Sequence, residues 1–150
     1  MAGTVVADTL QAASTSTLVL KNGVANTPPT VQDSAGTQIG TFCRAWVNFD
    51  GTGTFSPNPS TTKIRASFNV SSITDNATGD YTVNFTNALP DANYAVSLAA
   101  NGTGTTDPIA WIAGNSSPTT MTTSALRIYT GSSAVGNIID ANNVHVKIHR

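Results

Sequence analysis

Glutamate is absent from this chain, and its eight acids are all aspartates: Asp8, Asp33, Asp50, Asp75, Asp80, Asp91, Asp107 and Asp140. Glycoside hydrolysis works through two carboxyl groups about 5 to 9.5 Å apart, one of them often a glutamic acid with a raised pKa. These aspartates stand among turn-forming and strand-end residues, so a glycan-degrading enzyme is only a minor reading. Histidine is nearly missing too. His145 and His149 lie within the last six residues, and a nucleophile with an oriented base cannot be assembled from the local sequence. One cysteine, Cys43, excludes a disulfide within the chain; between Phe42 and Arg44 it reads as buried filler. Charged residues make up 10%, against about 25% in ordinary soluble chains. Seven Lys and Arg cannot neutralise many phosphates, so no nucleic-acid partner is expected. No apolar stretch reaches the roughly 20 residues of a membrane span, so no membrane insertion is expected. "MAGTVVADTLQAAS" lacks the basic start and apolar core of a secretory signal. A protein made in a cytoplasm, and leaving it only within a larger particle, fits these absences.

What replaces charge is Thr, Ser, Asn and Gly, roughly two residues in five. Small hydroxyl and amide side chains solvate a sheet surface without the entropy cost of ordering long charged ones, and Thr suits strands. The expected fold is all-β: an antiparallel β-sandwich or jelly-roll-like domain over residues 41–150, preceded by an extended N-terminal arm over 1–40. In the arm, short apolar pieces ("TVVADTL", "TLVLKNG", "QIGTF") are separated by connectors such as "VANTPPT" and are too short to enclose a core. Unpaired strand edges there call for pairing with copies or with a larger assembly. "VQDSAGTQIG" reads as a hairpin turning over Asp33 to Gly36.

Beyond Phe42 the alternation is that of strands. "CRAWVNF" sets Cys43, Ala45, Val47 and Phe49 against Arg44, Trp46 and Asn48, which predicts a core face and a Trp46 face open to an interface. Residues 51–62 read as a loop because of Pro57 and Pro59. "KIRASFNVSSI" reads as one run aligning Ile64, Ala66, Phe68 and Val70; then come "DYTVNFT", "YAVSLAA", "PIAWIAG", "SALRIYT" and "NNVHVKIHR". About seven short strands with evenly spaced turns result, and no helix of useful length.

The strongest local signal is "VSSITDNATGDYTVNF", with Asp75 and Asp80 around Asn-Ala-Thr-Gly. A calcium loop of the helix-loop-helix type needs a bidentate Glu at its twelfth position, and Thr86 stands there. A hairpin is simpler: Asp75 and Asn76 accept nearby amides and Gly79 takes a positive φ. The two "GTGT" stretches, 51–54 and 102–105, lack a following helix and Lys, and read as flexible connectors rather than phosphate loops. His145 and His149, four apart on a strand, share a face but stand roughly 13 Å apart, too far to share a metal within one chain. Around a threefold axis, one such His from each of three copies would be able to meet a metal or anion. No catalytic, cofactor-binding or metal residue is assigned, and no cofactor is expected.

The blocks "FCRAWVNFDGTGT" and "IRASFNVSSITDNATGDYTVNFTNALPDANYAV", with the late "HVKIHR", resemble a family of small virion proteins of tailed bacteriophages, of cyanophage and marine-phage type. The resemblance covers roughly residues 41 to 100. It implies a virion component that binds rather than catalyses: a homotrimeric tail-fibre module contacting the baseplate and a host surface glycan, or alternatively a capsid decoration protein. "TVVADTLQAAS" is similar to the attachment segments of short phage fibres, and "FSPNPSTTK", longer than the connector expected there, looks like an inserted contact loop. In the fibre reading, loops near 51–62, 101–108 and 114–123 face the host, and Trp46 or Trp111 stacks on a sugar ring. "LPDANYAV" resembles a tyrosine corner, with the Tyr94 hydroxyl bonding backbone across its own turn.

Overall fold

A computed structural model of the chain describes residues 31–102, 108–113, 120–132 and 137–150. The N-terminal attachment segment, residues 1–30, and most of the loops expected at 101–108 and 114–123 lie outside the described residues. The first described element is a hairpin, β1 (Val31–Gln32) antiparallel to β2 (Gln38–Gly40). Asp33 organises its turn. The carboxylate accepts the amides of Ala35 and Thr37 at 2.9 and 2.8 Å, and the Asp33 carbonyl accepts the Gly36 amide at 3.1 Å. This hairpin is a two-stranded sheet by itself.

Eight further strands follow among the described residues: β3 (Cys43–Phe49), β4 (Ile64–Phe68), β5 (Val70–Ala77), β6 (Asp80–Phe85), β7 (Ala95–Asn101), β8 (Pro108–Ile112), β9 (Ala125–Ser132) and β10 (Asn143–His149). They form two antiparallel four-stranded sheets, β4-β3-β10-β7 and β5-β6-β9-β8, packed face to face as a β-sandwich. The period of two decides which side chains meet. Ala45, Val47 and Phe49 of β3 and Val144, Val146 and Ile148 of β10 are buried against Ile73, Tyr81, Val83, Leu126 and Ile128 of the other sheet. Each large apolar side chain removed from water in this way contributes about 1.5–3 kcal/mol before entropy is subtracted.

Two strand expectations need correction. "KIRASFNVSSI" is two strands in different sheets, because Asn69 adopts φ 55° and turns the chain between them. Ile64, Ala66, Phe68 and Val70 therefore do not lie on one common face: Val70 is buried in the core while Phe68 is 55% exposed on the outside. Asn suits the left-handed conformation better than other residues with a Cβ. Its side chain also ties the corner: Nδ2 donates to the carbonyls of Arg44 and Asn87, and Oδ1 accepts the Asn87 amide at 2.8 Å. Asn69→Ala loses both features and is expected to cost about 2 kcal/mol, read as a lower midpoint in urea unfolding. The second correction is Cys43, which is half-buried rather than core filler. A bulge shifts the β3–β10 register, so that Ala45 opposes Ile148 but Cys43 opposes the outward His149. The thiol donates to the Ala45 carbonyl at 3.3 Å.

The loop over 51–62 is anchored rather than loose. Phe55 is buried and stacks on Tyr81 with ring centroids 5.9 Å apart. Gly51 packs so closely that a Cβ there would sit 2.7 Å from the Tyr81 hydroxyl and from the Ala141 carbonyl. Farther along, Ser60 exchanges backbone hydrogen bonds with Ile73 at 2.7 and 2.9 Å, and the Asn58 amide pairs with the backbone of Asp75. The loop thereby covers the edge of β5, whose donors and acceptors would otherwise be open to another strand.

Tyr94 precedes β7, is buried, and starts an inward row with Val96 and Leu98. Its hydroxyl bonds backbone, but not across its own turn. The partners are the carbonyls of Thr122 and Ala125 at 3.2 and 3.1 Å, at the entry to β9, so the bond ties one sheet to the other. Burial pushes the phenol up to about 12. Tyr94→Phe is expected to lower stability by about 1 kcal/mol; unchanged thermal melting would contradict the cross-sheet role.

Candidate binding surfaces

The carboxylate pair at the β5–β6 hairpin is a structural device. The turn is made by Thr78 and Gly79, with Ala77 opposite Asp80 and Gly79 at φ 62°. A bulge between Asp75 and Ala77 sets the two acids to different uses. Asp80 receives both ends of the Arg127 fork, Nε at 2.8 Å and Nη2 at 2.5 Å, together with the Asn76 side-chain amide. Asp75 is held through its backbone by Asn58, not through its carboxylate as the sequence suggested. Folding brings in a third acid that sequence reasoning did not connect. Asp140 Oδ1 accepts the Gly79 amide and stands 2.7 Å from the Tyr81 hydroxyl, which also lies 2.7 Å from the Gly51 carbonyl. Burial, with Asp140 as hydrogen-bond acceptor and negative neighbour, drives the Tyr81 phenol far above its ordinary range.

Partial burial, followed by the charges of Asp140 and Asp80, raises Asp75 above its ordinary value of 3.8. A carboxyl whose folded-state pKa is raised subtracts stability once pH climbs above its unfolded value, and the whole penalty is present above the folded value. Asp75→Asn should therefore raise the melting temperature near pH 7 and leave it unchanged below about pH 3, where both side chains are neutral. Equal gains at both pH values would place the cause elsewhere.

The outer face of β4-β3-β10-β7 collects most of the residues singled out from the sequence. Register fixes them in rows across the strands. Ser97, Lys147, Trp46 and Phe68 form one row, and Ala99, His145, Asn48 and Ala66 form the next. His149 follows, opposite Ala95 and Cys43. Trp46 is 37% exposed and lies beside Phe68. His145 and His149 share this face with Lys147 between them, as their spacing predicts. Among the described residues no three His, Cys, Asp or Glu side chains gather into a metal-holding group. An open groove of about 300 Å³ runs along β7 and β10, lined by Ser97, Leu98, Ala99, His145 and Lys147.

Trp111 lies on the other sheet, so the two tryptophans are not brought together. It opposes Tyr129, with ring centroids 6.1 Å apart, and covers Gly131, where a Cβ would meet the indole at 2.6 Å. The Arg127 guanidinium stands 5.8 Å from the Tyr129 ring. Along β5 and β6 the same outer face continues as a network in which Asn84 donates to Ser72 and Thr74, and Asn76 donates to Thr82. Arg127 and Tyr129 were missed in the sequence because their partners are 47 and 18 residues away; the outward phase of "ALRIYT" was the only available signal. No family model, curated protein or solved structure matches the chain.

Proposed function

We propose that the chain is a structural, binding component of a tailed-phage virion, in the form of a homotrimeric tail-fibre module. The observation that carries this reading is the resemblance of residues 41 to 100 to small phage virion proteins. In this chain the same residues build β3 to β7 and the anchored loop between β3 and β4. A charge-poor sandwich with aromatic and small polar side chains on its outer faces supports a role in adhesion. In this assignment residues 1–40 join the chain to the baseplate or to its own copies, and the outer surfaces meet the host. The apolar Val31 and Ile39, exposed on the β1–β2 hairpin, suit contact with another virion protein. Gold-labelled antibody against the chain, viewed on intact particles by electron microscopy, is expected to mark the tail. A label over the whole capsid would instead make it a decoration protein, and particles without label would remove it from the virion.

A further inference from the structure

We propose that the outer face of β4-β3-β10-β7 binds an acidic polysaccharide, with Trp46 stacking on a sugar ring and Lys147 pairing with the carboxylate that ring or its neighbour carries. Three observations converge on this ligand. Trp46 and Lys147 are direct cross-strand partners, so an aromatic platform and an ammonium lie side by side. Cross-strand partners stand about 4.5–5.5 Å apart between Cβ atoms, a separation that lets one sugar residue span both. The paired rows through this face contain Lys147, His145 and His149 and no carboxylate. Beside Lys147 the outward positions of β7 are the small Ala95, Ser97 and Ala99, which leave the open groove of about 300 Å³ free for a chain to run along it. That volume is at the lower end of ligand sites and suits one or two sugar residues.

Charge selects the occupant. A second copy packed on this face about a twofold axis would bring its own Lys147 toward that of the first, with no carboxylate in the paired rows to offset them and Asp50, at the end of β3, already paired with Arg65 at 3.4 Å. An anionic chain has the complementary charge, and a flat aromatic side chain, with the Asn48 amide two residues along its strand and the Ser97 hydroxyl on the far side of Lys147, favours a sugar ring over an extended peptide. Trp111 does not offer the same platform, since Tyr129 and Gly131 occupy its surroundings. The biological setting rests on the attachment reading above, but the binding itself does not: the purified full chain can fail to bind while its place on the particle stands.

The test is calorimetric titration of the full chain with oligogalacturonate, with its neutral methyl ester, and with single-stranded DNA of equal charge. The expected result is measurable oligogalacturonate binding that weakens about tenfold or more in Trp46→Ala and in Lys147→Gln, and that persists in Trp111→Phe. Circular dichroism checks that each variant keeps the wild-type fold. Equal binding of the neutral ester, equal binding of DNA, or wild-type affinity in both Trp46→Ala and Lys147→Gln would overturn the proposal. A fall in oligomer mass in Trp46→Ala, measured by sedimentation, would overturn it in favour of an interface between copies.

Discussion

Gly79→Ala is expected to destabilise the protein by about 3–5 kcal/mol, combining the penalty for a Cβ in left-handed backbone with overpacking. Gly79 adopts φ 62°, and its added Cβ would lie 2.5 Å from a methyl of Ile138, 2.6 Å from the Thr130 carbonyl and 2.7 Å from the Ile139 carbonyl. Ile138 can rotate, but the two carbonyls belong to backbone that is already bonded. Thr130 donates its amide to Gly79 O at 2.8 Å, and the Gly79 amide is held by Asp140. Relief of the clash would pull the hairpin away from both. Gly36 provides a control, because its φ is 83° but nothing lies within 4 Å of its added Cβ. Gly36→Ala should cost only the backbone part, about 1–2 kcal/mol. Urea unfolding of the two variants separates close packing from backbone strain; equal losses would mean that the approach of Gly79 to Thr130 and Ile139 carries no energy.

Phe49→Ala is expected to cost about 3–5 kcal/mol, the range for deleting a fully buried aromatic side chain. Phe49 is completely buried at the end of β3, and its ring meets Tyr81 edge to face with centroids 5.3 Å apart. Tyr81 in turn stacks on Phe55 and stands between Asp140 and Gly51 through its hydroxyl. The cavity would therefore lie under the residue that joins both sheets to the loop over 51–62, where backbone hydrogen bonds resist collapse into it. Phe68→Ala, a deletion of the same ring from the outer face, should change stability by less than about 0.5 kcal/mol. If Phe68→Ala proved as damaging as Phe49→Ala, the assignment of inner and outer faces would be wrong.

Local sequence determined those features whose cause lies within a few residues. Alternation in "CRAWVNF", "DYTVNFT" and "NNVHVKIHR" is enough to make strands with one buried face, because period two leaves no other way to hide Val47, Val83 and Val146 together with their neighbours. Asp33 with Gly36, and the Gly79 turn, were legible for the same reason: hairpin chemistry is set by the residues in the turn. The separation of His145 and His149 along a common face followed from the strand rise alone.

Tertiary structure decided whatever depends on partners distant in the chain. The β4–β5 corner at Asn69 preserves the alternation while sending Phe68 outside and Val70 inside, and its stabilising bonds go to Arg44 and Asn87. A bulge opposite Ile148 and His149 moved Cys43 out of the core phase of its own strand. Asp80 became an ion-pair partner because β6 lies beside β9, and the Tyr94 bond reached Thr122 and Ala125 because the sheets face each other there. The candidate binding face has the same origin. Trp46 and Lys147 are separated by most of the sandwich in sequence, and the antiparallel pairing of β3 with β10 is what makes them neighbours. Hydrophobic period selects the side of a strand, whereas sheet order selects its company, and only the packing of the whole core sets that order.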